Sequence, residues 1–287
     1  RVTADILEDA GDGDPSRMSR LRWLDSTLAQ DDGIVPPYTP LAIDGLTIGC
    51  LGRSLTIGPD GFPASIQSFF APELTRLQTK PVPLTSSPFK LHVTDGGGRD
   101  LSWVPKAGAP GPRPIQKGPG TVVWEAENSA GDLIVKISAR MEFDGFVDYK
   151  VAVTARSDTP VSDIRLEVPF NEDSARYMMG LGFKGGLRPE TFDWAWDQKK
   201  NQDALWLGAV NAGMQVVLRA ENYSRPLNTN FYLSKPLNLP PSWWNEGKGT
   251  VEVRTLGAAG IKAGKKAFGP RPVVLSARSG PRTIRAG

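Results

Sequence analysis

The chain has 287 residues, of which 39% are hydrophobic and 23% charged, and its net charge is +3. That balance suits a globular protein with one large core. No apolar run approaches the ~18 residues of a membrane-spanning helix. A single cysteine, Cys50, excludes an internal disulfide and a cysteine-rich zinc site.

Residues Arg1–Asp9 alternate weakly, Ala10–Ser19 is Gly/Asp/Ser-rich, and Leu21–Gln30 carries a short apolar cluster. Pro36-Pro37-Tyr38-Thr39-Pro40 must be extended, because proline bars helix for itself and its predecessor. Leu41–Ile48 and Leu51–Ile57 read as strands. Pro59-Asp60-Gly61 is a turn, with Phe62–Phe70 as the return strand. Ala71–Pro88 reads as an irregular excursion. Phe89–Val93 and Leu101–Val104 read as strands around a hairpin tip at Asp95–Asp100, and Lys106–Gly120 as a Pro/Gly-rich mobile loop.

The organising stretch is Thr121–Phe170, which reads as a four-stranded meander. Val122, Trp124 and Ala126 alternate with polar residues; so do Leu133, Val135, Ile137, Ala139 and Met141, then Val147, Tyr149, Val151 and Val153. In Asp163–Phe170 the apolar set is Ile164, Leu166, Val168 and Phe170. Strand side chains alternate faces, so each segment has one wet and one dry side. Asp144-Gly145 is the pair favoured in a tight primed hairpin turn. One apolar face requires a second layer. The expected fold is therefore all-β, a large antiparallel β-sandwich with long irregular loops and little helix.

Downstream, Glu172–Met179 reads as a single helical turn and Gly180–Asn201 has no clear period. Ala204–Asn211 and Met214–Arg219 form a hairpin. Glu221–Lys248 is a long Asn/Pro/Trp-rich connection, and Thr250–Leu256 and Val273–Ser276 are further strands. Charge is uneven here: no acidic residue follows Glu252, while eight cations do, so the remainder is net acidic. The basic tail reads as solvated surface, since no aromatic residue interleaves with it to stack on a base.

Gly180-Leu181-Gly182-Phe183-Lys184-Gly185 matches the glycine spacing of a dinucleotide site, but Gly185-Gly186-Leu187-Arg188-Pro189 cannot open the helix that such a site needs. It reads as a sharply bent loop, and no cofactor is expected. His92 and Cys50 sit in apolar alternating stretches outside any nucleophile motif and read as packing residues. Asp193, Asp197 and Asp203 surround Trp194, Trp196 and Trp206, and Trp243-Trp244-Asn245-Glu246 adds rings and a carboxylate. Carboxylates beside aromatic faces are the raw material of a sugar site, although each tryptophan taken singly also reads as packing.

Longer blocks carry a resemblance. They include Leu21-Arg22-Trp23-Leu24-Asp25, Val35-Pro36-Pro37-Tyr38-Thr39-Pro40, Cys50-Leu51-Gly52-Arg53, Gly182-Phe183-Lys184-Gly185-Gly186-Leu187-Arg188-Pro189, Lys200-Asn201-Gln202-Asp203, Arg225-Pro226-Leu227 and Lys235-Pro236-Leu237-Asn238-Leu239-Pro240-Pro241-Ser242-Trp243. Over nearly the whole chain they resemble the non-catalytic, supersandwich-like β-region that precedes the barrel in bacterial glycoside hydrolase family 123-like proteins. The resemblance implies a parent enzyme of β-N-acetylgalactosaminidase type, whose TIM barrel uses the substrate acetamido group and an adjacent Asp-Glu pair. This chain has no Asp-Glu dipeptide, and a (β/α)₈ barrel needs ~250 residues of its own. No catalytic residue carries over.

The resulting expectations are specific. Residues 1–40 are a lead-in from an upstream module; residues 41–287 are one β-sandwich domain cut at its C-terminal end. The function is accessory, supporting a catalytic barrel. The alternatives are an independent carbohydrate-binding module on Trp194, Trp196, Trp243 and Trp244, and an autonomous glycosidase on Asp193, Asp197, Asp203 and Glu246. Carbohydrate-binding or domain-interface candidates are Lys184, Arg188, Trp194, Trp196, Asp203, Arg225, Asn238, Trp243 and Trp244, with no metal ligand. The partners expected are carbohydrate or the parent's barrel, not nucleic acid or membrane. The resemblance favours a secreted or periplasmic location.

Overall fold

The computed structural model describes residues 32–109, 111–195, 204–218, 249–256 and 271–287. Among them the regular structure is all β, and no helix is long and apolar enough to cross a membrane. β1 (Ala42–Asp44), β2 (Thr47–Cys50), β3 (Arg53–Ile57), β4 (Pro63–Phe70) and β5 (Leu77–Pro83) form a first sheet in sequence order. β6 (Lys90–Asp95) leaves it. β7 (Val104–Pro105) and β8 (Ile115–Gly118) both pair with β9 (Thr121–Ala130), which continues through β10 (Leu133–Glu142) and β11 (Val147–Ala155) as the second sheet. β12 (Thr159–Asn171) crosses to a third sheet. β13 (Tyr177–Gly180) and β14 (Phe183–Leu187) open a fourth, β15 (Thr191–Ala195) returns to the third, and β16 (Ala204–Gly208) with β17 (Gly213–Val217) completes the fourth. β18 (Thr250–Thr255), β19 (Pro272–Arg278) and β20 (Arg282–Ile284) finish the third, in which β12 carries β6 on one edge and β19 then β20 on the other.

The all-β, antiparallel character is as the sequence indicates, but the strands divide into four sheets rather than one sandwich. The reason lies in β12. It does not extend the meander beside β11; it pairs with β6 and β19 instead. Its inward residues Val168 and Phe170 therefore meet Val135 and Ile137 of β10 from across the core, in one buried cluster. Pairing beside β11 would have set both groups on the same face with nothing opposite. The dry face of β10 is shared along its length. Leu133 packs with Val93 and Val161 of the third sheet, Val135 and Ile137 join the central cluster, and Ala139 and Met141 pack with Ile48, Leu55 and Ile57 of the first sheet.

Smaller expectations also change. Ala71–Pro88 contains β5, whose Pro81 and Pro83 are tolerated because β5 is an edge strand. Lys106–Gly120 contains β8, and Glu172–Met179 forms a turn leading into β13 rather than a helical turn. The Asp144-Gly145 turn has only Gly145 at positive φ, 86°, and Glu142 N–H donates to the Phe146 carbonyl. It is thus a longer loop than a two-residue primed turn.

The Pro59-Asp60-Gly61 turn is as expected, and it plugs into the meander. Trp124 Nε1 donates to the Gly61 carbonyl at 2.9 Å, and Asn128 Nδ2 to the Asp60 carbonyl at 2.9 Å. Gly61 has φ 92°, and a Cβ there would lie 2.6 Å from that of Ala126, so only glycine lets this turn reach the sheet. The β16–β17 turn is tied to the first sheet as well. Ser68 Oγ donates to the Asn211 carbonyl at 2.5 Å, and Asn211 Nδ2 donates to the Phe70 carbonyl at 2.6 Å.

Candidate functional site

The fourth sheet, ordered β14-β13-β16-β17, has one face in the core: Met178, Leu205 and Leu207 are buried there, with Met214 and Val216 packed against them. Alternation puts Tyr177, Met179, Trp206 and Gln215 on the other face. Trp206 is paired with Met179 on one side and Gln215 on the other. Its indole lies across the paired glycines Gly208 and Gly213. A Cβ on Gly213 would meet indole Cζ2 at 2.8 Å and Nε1 at 3.0 Å, and one on Gly208 would meet Cη2 at 2.6 Å. Two missing side chains thus make the bed on which the ring rests. At β13–β14 the register shifts so that Lys184 and Gly185 together oppose Met179, a bulge that keeps Lys184 exposed at the end of the Trp206 row. In the next row Arg176 stands over the Tyr177 ring, 5.6 Å from its centroid.

The Gly180–Gly185 segment is the β13–β14 hairpin, turning at Leu181 (φ 47°) and Gly182 (φ 85°). Strand–turn–strand provides no helix N-terminus for a phosphate. Arg188, just beyond, holds the chain together: its Nε donates to the Ala175 carbonyl at 2.9 Å and its Nη1 to the Pro189 carbonyl at 2.6 Å. Burial lowers its pKa, against the opposing charges of Glu190 and Glu172. Arg271 grips Glu172 at 2.5 Å and Glu190 at 3.0 Å, and its hydrogen bonds hold the Glu172 carboxyl below the usual range.

The outward face of the third sheet is a ladder of paired charges. His92 contacts Glu167 at 3.1 Å and Asp100 at 3.4 Å, and Arg165 contacts Glu167 at 3.0 Å. Arg278 lies 3.5 Å from Asp163 and 3.7 Å from Glu252, and Arg254 pairs with Asp193. The Thr94 hydroxyl at 2.6 Å is the main cause of the lowered Asp100 pKa. Cys50 is elsewhere, on β2 against the first-sheet cluster, where burial raises its thiol pKa. The described residues contain no group of three or more His, Cys, Asp or Glu that could hold a metal ion.

Of the sequence candidates, Lys184 is exposed on the Trp206 face, and Arg188 is spent on backbone carbonyls. Trp194 turns inward with Phe192 and is 9% exposed, so its ring belongs to the core rather than to an open stacking surface. Trp196, Asp203, Arg225, Asn238, Trp243 and Trp244 lie outside the described residues, as do Asp197 and Glu246. Trp206 is not among those candidates, although the alternation of Leu205 and Leu207 puts it on the opposite face from the core.

Residues 41–287 match the family model for glycoside hydrolase 123, third domain. The chain belongs to that family. No curated protein matches it. In this glycoside hydrolase 123 third domain, the described acids Asp193 and Glu252 are engaged by Arg254 and Arg278.

Proposed function

We propose that this chain is a non-catalytic accessory domain of a glycoside hydrolase, which supports a separate catalytic barrel. The observation that carries this is the pairing of described carboxylates on the third sheet and beside it with arginines. Glycosidic hydrolysis needs one acid held protonated and a second free, on either side of a sugar. Here Glu172 and Glu190 are held by Arg271, Asp193 by Arg254, and Asp163 and Glu252 by Arg278. At Glu172 the Arg271 hydrogen bonds hold the carboxyl below its usual range, the opposite of what a general acid requires. The family match supplies the parent's class, and the four linked sheets supply a rigid support.

The test is turnover of an aryl N-acetylgalactosaminide by the purified chain and by a longer protein carrying a barrel. The isolated chain is expected to be inert and the longer protein active. Hydrolysis by the pure isolated chain would overturn the reading.

A further inference from the structure

We infer that the outward face of the fourth sheet is a saccharide-binding platform, centred on Trp206, for a sugar carrying a carboxylate or sulfate. The saccharide class rests on the glycoside hydrolase reading; the position and the charge preference do not.

The platform is built, not incidental. A tryptophan on an open sheet face ordinarily leans on neighbouring side chains. Here Gly208 and Gly213 remove those neighbours, so the indole lies along the sheet. A flat, partly exposed ring beside a thioether (Met179) and a phenol ring (Tyr177) suits the C–H face of a pyranose, which stacks without needing a deep pocket. Gln215, exposed one strand away, offers an amide donor and acceptor to sugar hydroxyls at a spacing of about 4.8 Å.

Charge narrows the ligand. The outward positions of β13, β14, β16 and β17 carry no carboxylate, while exposed Lys184 and Arg176 flank the aromatic rows. Lys184 is two strands from Trp206, about 10 Å, so a stacked ring and an anionic group on the next residue of a short saccharide are served together. Two cations on a face whose described strands carry no acid complement an anionic ligand. They do not suit a second copy of this face, which would bring like charges together.

Calorimetry with the full chain tests this, using a trigalacturonate, a sulfated disaccharide and neutral galactotriose as probes. At least one anionic probe is expected to bind, the neutral one at least about tenfold more weakly, with affinity falling as salt rises. Trp206→Ala is expected to weaken binding about 3- to 10-fold or more, with Trp206→Phe recovering part of it. Lys184→Gln and Arg176→Gln change exposed side chains only and keep the test decisive if Trp206→Ala does not fold; each should erode the preference for the anionic probe. The inference fails if no anionic probe binds, if galactotriose binds as well, or if Trp206→Phe and Lys184→Gln bind like the parent. A dimer dissolved by Lys184→Gln, or a Trp206 shielded from acrylamide once a catalytic domain is attached, would also overturn it by naming another occupant. None of these outcomes depends on whether the isolated chain hydrolyses a glycoside.

Discussion

Asp60 stands at the tip of the hairpin that plugs into the meander, and its environment pulls two ways. Its carboxylate accepts the Phe62 N–H at 3.1 Å, which favours ionisation, yet burial wins and its pKa is raised. Nearby Tyr149, stacked on Phe62 and edge-on to Trp124, is pushed upward too, chiefly by burial and then by Asp60 itself. The folded state therefore holds the Asp60 proton more tightly than the unfolded chain does. Its stabilising effect is complete below the ordinary value of 3.8 and is lost as pH rises through the folded pKa. Asp60→Asn keeps an oxygen for Phe62 N–H and removes the charge. The variant is expected to unfold at higher urea concentration than the parent at neutral pH, with the gap closing towards about pH 3. A gap that persists or widens in acid would assign the effect to something other than the buried charge.

At the scale of the strand, β10 is the clearest case of sequence dictating structure. Leu133, Val135, Ile137, Ala139 and Met141 are each at most 3% exposed, and Lys136 and Ser138 between them are exposed. Ile137→Ala is expected to cost about 2–5 kcal/mol, and Lys136→Ala no more than about 0.5 kcal/mol. Equal losses in urea denaturation would mean that the face is not one-sided. Alternation of this kind made β3, β4, β9, β10, β11, β16 and β17 legible, together with the Pro59-Asp60-Gly61 turn. It could not say that β12 pairs with β6 and β19, because pairing partners distant in sequence leave no local period. Nor could it foresee β5, since Pro81 and Pro83 count against a strand until the strand is known to be an edge. The candidate site was legible in its ingredients rather than its sidedness. Trp194 and Trp206 look alike in sequence. One shares its face with Phe192 in the core and the other lies opposite Leu205 and Leu207. That Lys184 falls in the Trp206 row follows from the bulge in β14, which no local pattern announces.

Across the molecule, four sheets would be four weakly coupled units if each closed its own core. They do not. The central cluster takes residues from all of them: Phe62 from the hairpin of the first sheet, Val135 and Ile137 from the second, Val168 and Leu275 from the third, Met178 and Leu207 from the fourth. Trp124 adds a second link, 1% exposed between the first and second sheets and donating to Gly61. A shared core cannot open on one side without stripping apolar contacts from the others, so loss of one sheet draws in the rest. Unfolding is therefore expected as a single step, with tryptophan fluorescence and far-UV circular dichroism giving coincident urea transitions. Trp124→Ala sharpens the test, since it removes about 3–5 kcal/mol of packing at the junction of two sheets only. If the core acts as one body, hydrogen exchange in this variant speeds up together in β3, β4, β12 and β16, strands that lie in three different sheets. Faster exchange confined to β3 and β4 would instead make the first sheet an independent unit, and would count against the proposed support of a catalytic domain.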